Sequence, residues 1–173
     1  MTLQEIKLLH AYNSWADNCM FDVLVTLPAE QYTQDMKSSH GGIHGTMTHI
    51  VGAEKIWLSR WIGKPRSRGK PDATILEAAD VASVAELRSI WKKVGYDMAR
   101  FLGTMSDKKL QETFSLTTSK GATVTHVYWQ AIQHMVNHSS YHRGQITTML
   151  RQLQVDPPST DLIKFYRETG KLK

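Results

Sequence analysis

His134-Met-Val-Asn-His138-Ser-Ser-Tyr-His142-Arg-Gly-Gln145, a run near the end of the chain, carries a histidine at every fourth position. On an α-helix, residues four apart stack on one face. Two imidazoles so spaced can grip one metal ion from the same side. The run therefore predicts a long helix, in a helical bundle, that presents a metal site with an open position.

Around this run the helical pattern extends over about 124–153, and Pro157-Pro158 closes it off. Tyr128, Ala131, Ile132, Met135, Ile146, Met149, Leu150 and Leu153 make its apolar face. A helix advances ~100° per residue, which puts His142 roughly 30° and His138 roughly 70° from the centre of that face. His134 falls near 110° and His126 on the far side. His138 and His142 are thus the pair that can face inward together.

Three more amphipathic segments precede it. Residues 3–27 carry Ile6, Leu9, Asn13, Ala16, Met20, Val23 and Leu27 at alternating steps of three and four, up to Pro28. Asn13 is the polar member of that inward stripe. A breaker cluster at 38–42 leads into a helix expected over 43–62, rich in Trp57, Leu58, Trp61 and Ile62. After a loop over about 64–80, Ser83 and Glu86 form a capping-box candidate for a helix reaching about 105. Residues 112–125, threonine-rich with a turn at Ser119-Lys-Gly121, read as extended, in the manner of a small hairpin. Thr160-Asp161 before Leu162, Ile163 and Phe165 suggests a short capped helix. The sum is an all-α, four-helix-bundle domain over 1–173 with a short extended segment before its last long helix.

Composition narrows the function. With 21 % charged and 41 % apolar residues, the chain matches ordinary globular proteins, and no apolar run has the ~18 residues of a membrane span. The first residues lack a signal-peptide layout and Cys19 is the single cysteine, so a reducing cytoplasm is the expected compartment. Cys19 reads as a buried, inert thiol. The net charge of +5 is densest at Lys64-Pro-Arg66-Ser-Arg68-Gly-Lys70, which reads as a solvated loop. No nucleic-acid-binding motif accompanies it.

A pair of histidines needs a third ligand from another helix. His10, His40, His44 and His49 are the candidates. His40 sits in the Gly-flanked breaker and is expected to be mobile. On the stripe Ile43, Ile50, Ala53, Trp57 and Trp61, His49 lies about 90° and His44 about 130° off centre, a small preference for His49. Ligand histidines commonly donate their second N–H to an outer acceptor. Asn13 and Gln145 are the polar side chains considered for that role or for the pocket, the commoner alternative for each being a plain hydrogen bond within the bundle. Glu54, five residues from His49, is expected on another face, in a surface ion pair.

The run His138-Ser-Ser-Tyr-His142-Arg143-Gly144-Gln145-Ile146 closely resembles the C-terminal signature of the DinB/YfiT-like family. Met47-Thr-His49-Ile-Val-Gly-Ala-Glu54-Lys-Ile-Trp57-Leu58 and Tyr12-Asn13-Ser-Trp15-Ala16-Asp17-Asn18 resemble its signatures on the second and first helices. The resemblance implies a four-helix bundle, usually a homodimer, holding one divalent metal such as zinc or nickel through three histidines. On matching positions these are His49, His138 and His142, without His134. Some relatives are transferases or isomerases that use low-molecular-weight thiols, and others are described as metal-dependent hydrolases.

The expected function is therefore a metal-dependent enzyme, a thiol transferase or a hydrolase, that activates a thiol or water against a small electrophile. The alternative is a non-catalytic metal-binding stress protein or dimeric interaction module. Nucleic-acid binding through the basic loop is the reading least favoured by the residues.

Overall fold

The computed structural model describes residues 1–63, 75–118 and 121–170. The basic stretch 64–70 and the Ser119-Lys120 half of the expected turn lie outside them. Four long helices dominate: α1 (Leu3–Leu24), α3 (Ile43–Trp61), α4 (Val84–Gly103) and α6 (Tyr128–Gln152). The shorter helices are α2 (Ala29–Thr33), α5 (Asp107–Gln111) and α7 (Leu162–Glu168), the last packing Phe165 against Tyr12 and Trp15 in the middle of α1.

The boundaries follow local chemistry. Thr2 and Glu5 cap α1 reciprocally: Thr2 Oγ1 accepts from Glu5 N at 3.2 Å and Glu5 Oε2 from Thr2 N at 2.8 Å. That helix stops at Leu24, three residues short of the expected end. Tight turns from Thr26 N to Val23 O and Leu27 N to Leu24 O lead into Pro28. At α4, Ser83 Oγ caps Glu86 N, but Glu86 reaches back to Ala82 N rather than to Ser83. The last long helix starts at Tyr128, four residues later than its periodicity suggested. Residues 123–127, mostly β-branched, instead form β2, paired antiparallel with β1 (Thr113–Thr117) in the register Phe114↔His126 and Ser115↔Thr125. The short helix α7 forms as expected, yet its N-cap Asp161 makes no side-chain capping bond.

Two apolar clusters fill the bundle. One gathers Met20, Phe21 and Leu24 with Ile43, Met47, Leu87, Trp91, Ile146 and Leu150. The other gathers Ile6 with Leu58, Trp61, Met98, Leu102, Ile132 and Met135. Chain direction follows from this: α1 and α6 run from the second cluster to the first, α3 and α4 from the first to the second. The order is up-down-down-up, so the end of α3 and the start of α4 lie at opposite ends of the bundle. Leu76 and Val81, just ahead of α4, pack in the first cluster.

The segment before α3 is seated by two glycines. A Cβ on Gly42 would lie 2.1 Å from the Gln34 carbonyl oxygen, and one on Gly45 would lie 1.9 Å from that of His40. Backbone thus lies directly on backbone, holding the 38–42 turn against the start of α3. Gly95, within α4, has nothing within 4 Å of its absent side chain. Gly42→Ala and Gly45→Ala are each expected to lose about 1–3 kcal/mol in chemical denaturation. Gly95→Ala should gain up to ~1 kcal/mol from helix propensity. Equal effects at the three positions would contradict this account.

Candidate metal centre

Adjacent stripes of α6 do different work. His138 and His142 lie on one, and Ser139 and Arg143 lie one residue further on, turned into the bundle, where both are buried. Arg143, 1 % exposed, donates from Nη1 to Asp17 Oδ1 at 2.7 Å and to Asn13 Oδ1 at 2.8 Å. Asn13 Nδ2 in turn donates to Asp17 Oδ2 at 3.1 Å and to Glu54 Oε1 at 2.5 Å. Ser139 Oγ lies 3.5 Å from Glu54 Oε1. This polar belt joins α1, α3 and α6 between the two apolar clusters.

One expectation is corrected here, and one open alternative is decided. Glu54 is 5 % exposed, not a surface ion-pair member. The buried face of α3 runs Ile43, Met47, Ile50, Glu54, Leu58 and Trp61, so Glu54 occupies the inward stripe. Asn13 is committed to Asp17, Glu54 and Arg143, and its amide supports the belt rather than a histidine. The signal for both was present as phase: Asn13 and Asp17 are four apart, as are Ser139 and Arg143, and Glu54 follows Ile50 by four.

Burial first, then the Asp17 carboxylate and its hydrogen bond, push the Glu54 carboxyl well above its usual range. A protonated Glu54 leaves the Arg143–Asp17 pair as the charged part of the belt, with a net charge of zero. A raised native pKa means that the folded state retains a proton which the unfolded chain releases near 4.5. The Glu54 contribution is therefore complete below that pH and declines as pH rises toward the native pKa. Glu54→Gln, which keeps an N–H donor for Asp17 and an acceptor for Asn13, should gain in thermal stability relative to the parent between pH 5 and pH 8. A difference that shrinks over that range would rule out the protonated carboxyl.

On the other stripe, imidazoles converge. His49 Nε2 of α3 lies 3.0 Å from His138 Nε2, and His142 Nε2 lies 3.1 Å from the same atom. An imidazole nitrogen offers one lone pair or one N–H, so His138 Nε2 cannot bond fully to both neighbours. Three such nitrogens suit a cation: ligands ~2.0–2.1 Å from a tetrahedral zinc stand roughly 3.3 Å apart. His142 Nδ1 donates to Gln145 Oε1 at 2.8 Å, which leaves its Nε2 lone pair free. Burial, then the neighbouring imidazoles, push both His49 and His138 down to about 4. Both are neutral at neutral pH, the form that binds metal.

The remaining histidines separate clearly. His40, expected to be mobile, is stacked on His49 with centroids 3.9 Å apart and planes 18° apart. By distance alone, the described residues that could together hold a metal ion are His40, His49 and His142, with one nitrogen of each within 4.8 Å of the others; His138 joins through its contacts at 3.0 and 3.1 Å. His44 instead packs against Tyr32, with ring centroids 4.9 Å apart. His134 is exposed, and its ring faces Trp57 at 5.6 Å. His10 lies on α1 outside the converging group, and burial lowers its pKa. Cys19 is half-buried rather than buried, and burial raises its thiol pKa.

A cavity of about 490 Å³ opens beside the cluster, bounded by His40, His49, Thr48, Ile56, Trp57 and Leu76. A larger one, about 700 Å³ between Trp61, Phe101 and Tyr128, has no histidine on its wall. Among the described residues, no helix is long and apolar enough to cross a membrane.

Fold and site together define a four-helix bundle with a histidine cluster at the seam of α3 and α6. Residues 2–171 match the family model described as the DinB family, and the chain belongs to that family. Similar curated proteins include Protein DinB of Bacillus subtilis (strain 168), 28 % identical over 166 residues, spanning 94 % of this chain and 95 % of that one. The uncharacterized protein YizA of the same organism is 24 % identical over 131 residues, or 74 % of this chain and 77 % of its own. The crystal structure of a DinB-like protein from Bacillus cereus ATCC 10987 shares the fold, with a TM-score of 0.65 at 23 % identity, over 91 % of this chain and 97 % of that one.

Proposed function

We propose that this protein is a metal-dependent enzyme whose His49, His138 and His142 hold one divalent ion, zinc or nickel, and that it acts on a small electrophilic molecule by thiol transfer or hydrolysis. The observation that carries the reading is the convergence of three ring nitrogens, at 3.0 and 3.1 Å, beside a cavity of small-molecule size. Ring orientation favours this set: the His49–His138, His49–His142 and His138–His142 planes cross at 55°, 76° and 63°. Lone pairs in crossing planes can meet at one point.

Such an ion supplies Lewis acidity and makes a thiol or water acidic enough to ionise near neutral pH. The protein's own residues do the rest. Gln145 fixes the tautomer of His142, burial keeps His49 and His138 unprotonated, and Ile56, Trp57 and Leu76 offer an apolar wall to a substrate. The reading includes a cytoplasmic homodimer and a low-molecular-weight thiol as co-substrate.

Elemental analysis of the purified protein beside the His138→Ala/His142→Ala variant tests it. About one transition metal per chain, lost in the variant, supports the site and directs substrate screening to thiol transfer and hydrolysis. A wild-type protein that stays metal-free after incubation with zinc or nickel would leave a non-catalytic interaction protein as the better account. Gln145→Ala should still fill at saturating metal but bind it about ten- to a hundredfold more weakly, as read by competition with a chelator.

A further inference from the structure

We propose that His40 is a substrate-facing residue of this site: it does not bind the metal but hydrogen-bonds the small anionic donor that enters from the cavity beside His49. The inference rests on the three-histidine reading above and adds to it a residue from outside α3 and α6.

Ring geometry excludes His40 from the ligand set. Imidazole lone pairs lie in the ring plane, so the planes of two ligands must both pass through the ion they share. The His40 and His49 planes are only 18° apart, with centroids 3.9 Å from each other. Planes so nearly parallel and so offset do not cross at a point ~2.0–2.1 Å from both nitrogens. The three ligands that remain include the two close nitrogen pairs, with His138 3.0 Å from His49 and 3.1 Å from His142. His40 instead shares the cavity wall with His49, where it can meet what enters beside the ion.

Position fits that role. Of the four clustered histidines, only His40 and His49 line the cavity. Thr48, on the same wall and 1 % exposed, has a hydroxyl with no hydrogen-bond partner among the described residues. A polar occupant would satisfy it. His40 is also held in place, since the Gly45 backbone lies directly under the His40 carbonyl. The turn that looked mobile in sequence is a mount for a side chain.

Cobalt-loaded full-length protein provides the test, with sodium azide as the probe anion and the visible cobalt bands as the readout. His40→Ala should retain about one cobalt per chain and its azide-free spectrum, while its azide dissociation constant rises roughly tenfold, the loss of one charge-assisted hydrogen bond. His40→Gln, which keeps a donor, should recover part of that affinity. Gly45→Ala, which displaces the His40 turn, should weaken azide binding in the same direction as His40→Ala. Loss of cobalt or a changed azide-free spectrum in His40→Ala would make His40 a ligand and overturn the assignment. Unchanged azide affinity would overturn it too. A wild-type protein that takes up no cobalt, or that keeps it in His138→Ala/His142→Ala, defeats the underlying metal reading and this inference with it. A cobalt-loaded wild type without a saturable azide response defeats the inference alone.

Discussion

The rotation of α6 about its own axis is the constraint on which the site depends, and the Arg143–Asp17 ion pair sets it. Arg143 is anchored to α1 at 2.7 Å, and Ser139, one turn earlier, faces Glu54 of α3. Because side chains leave a helix at ~100° intervals, fixing these two residues also fixes the direction of His138 and His142. The buried belt and the histidine cluster are two readouts of one angular setting.

Burying such a belt is costly. A guanidinium and a carboxylate lose their hydration, and the pair recovers that loss only if its remaining polar atoms are bonded. Here Asn13 bridges the ion pair to Glu54, and Ser140 accepts from Arg143 Nη2 at 2.8 Å, while Arg143 Nε is left without a partner among the described residues, so the recovery is partial. Burial and the Asp17 carboxylate both push the Glu54 carboxyl upward, against a second buried negative charge. The gain is specificity. Apolar clusters tolerate small rotations and slips of one helix against another, whereas a belt of directional bonds between three helices accepts one registration, with both apolar clusters arranged around it.

The histidine cluster uses that rigidity asymmetrically. Two imidazoles come from α6 and one from α3, all on long helices, while His40 comes from a turn seated by close backbone contact. Rigid helices suit groups that must converge to within a few tenths of an ångström. A turn at the cavity edge suits a group that meets whatever enters. The division matches the geometry, with crossing ring planes among His49, His138 and His142 and a stacked one at His40.

Much of this was legible in the chain. Apolar periodicity located all four long helices, the threonine-rich stretch located the hairpin, and the four-residue spacing of His138 and His142 put them on one helical face. Gln145, one turn beyond, was singled out and does bond His142. These features are local, because a helix's face and a strand's pairing preference depend on residues a few positions apart. Other features were not legible. Glu54 was read as a surface ion-pair member, Asn13 was left between a histidine neighbour and a plain bundle hydrogen bond, and His40 was read as mobile. Periodicity left His49 only slightly ahead of its rivals. Each of these depends on how one element is rotated and seated against another, up to 130 residues away in the case of Asn13 and Arg143. The sequence by itself determined which helices form and which of their faces carry imidazoles. Only the tertiary structure decided which faces meet, because relative helix rotation is set by long-range polar bonds and backbone contacts that no local pattern encodes.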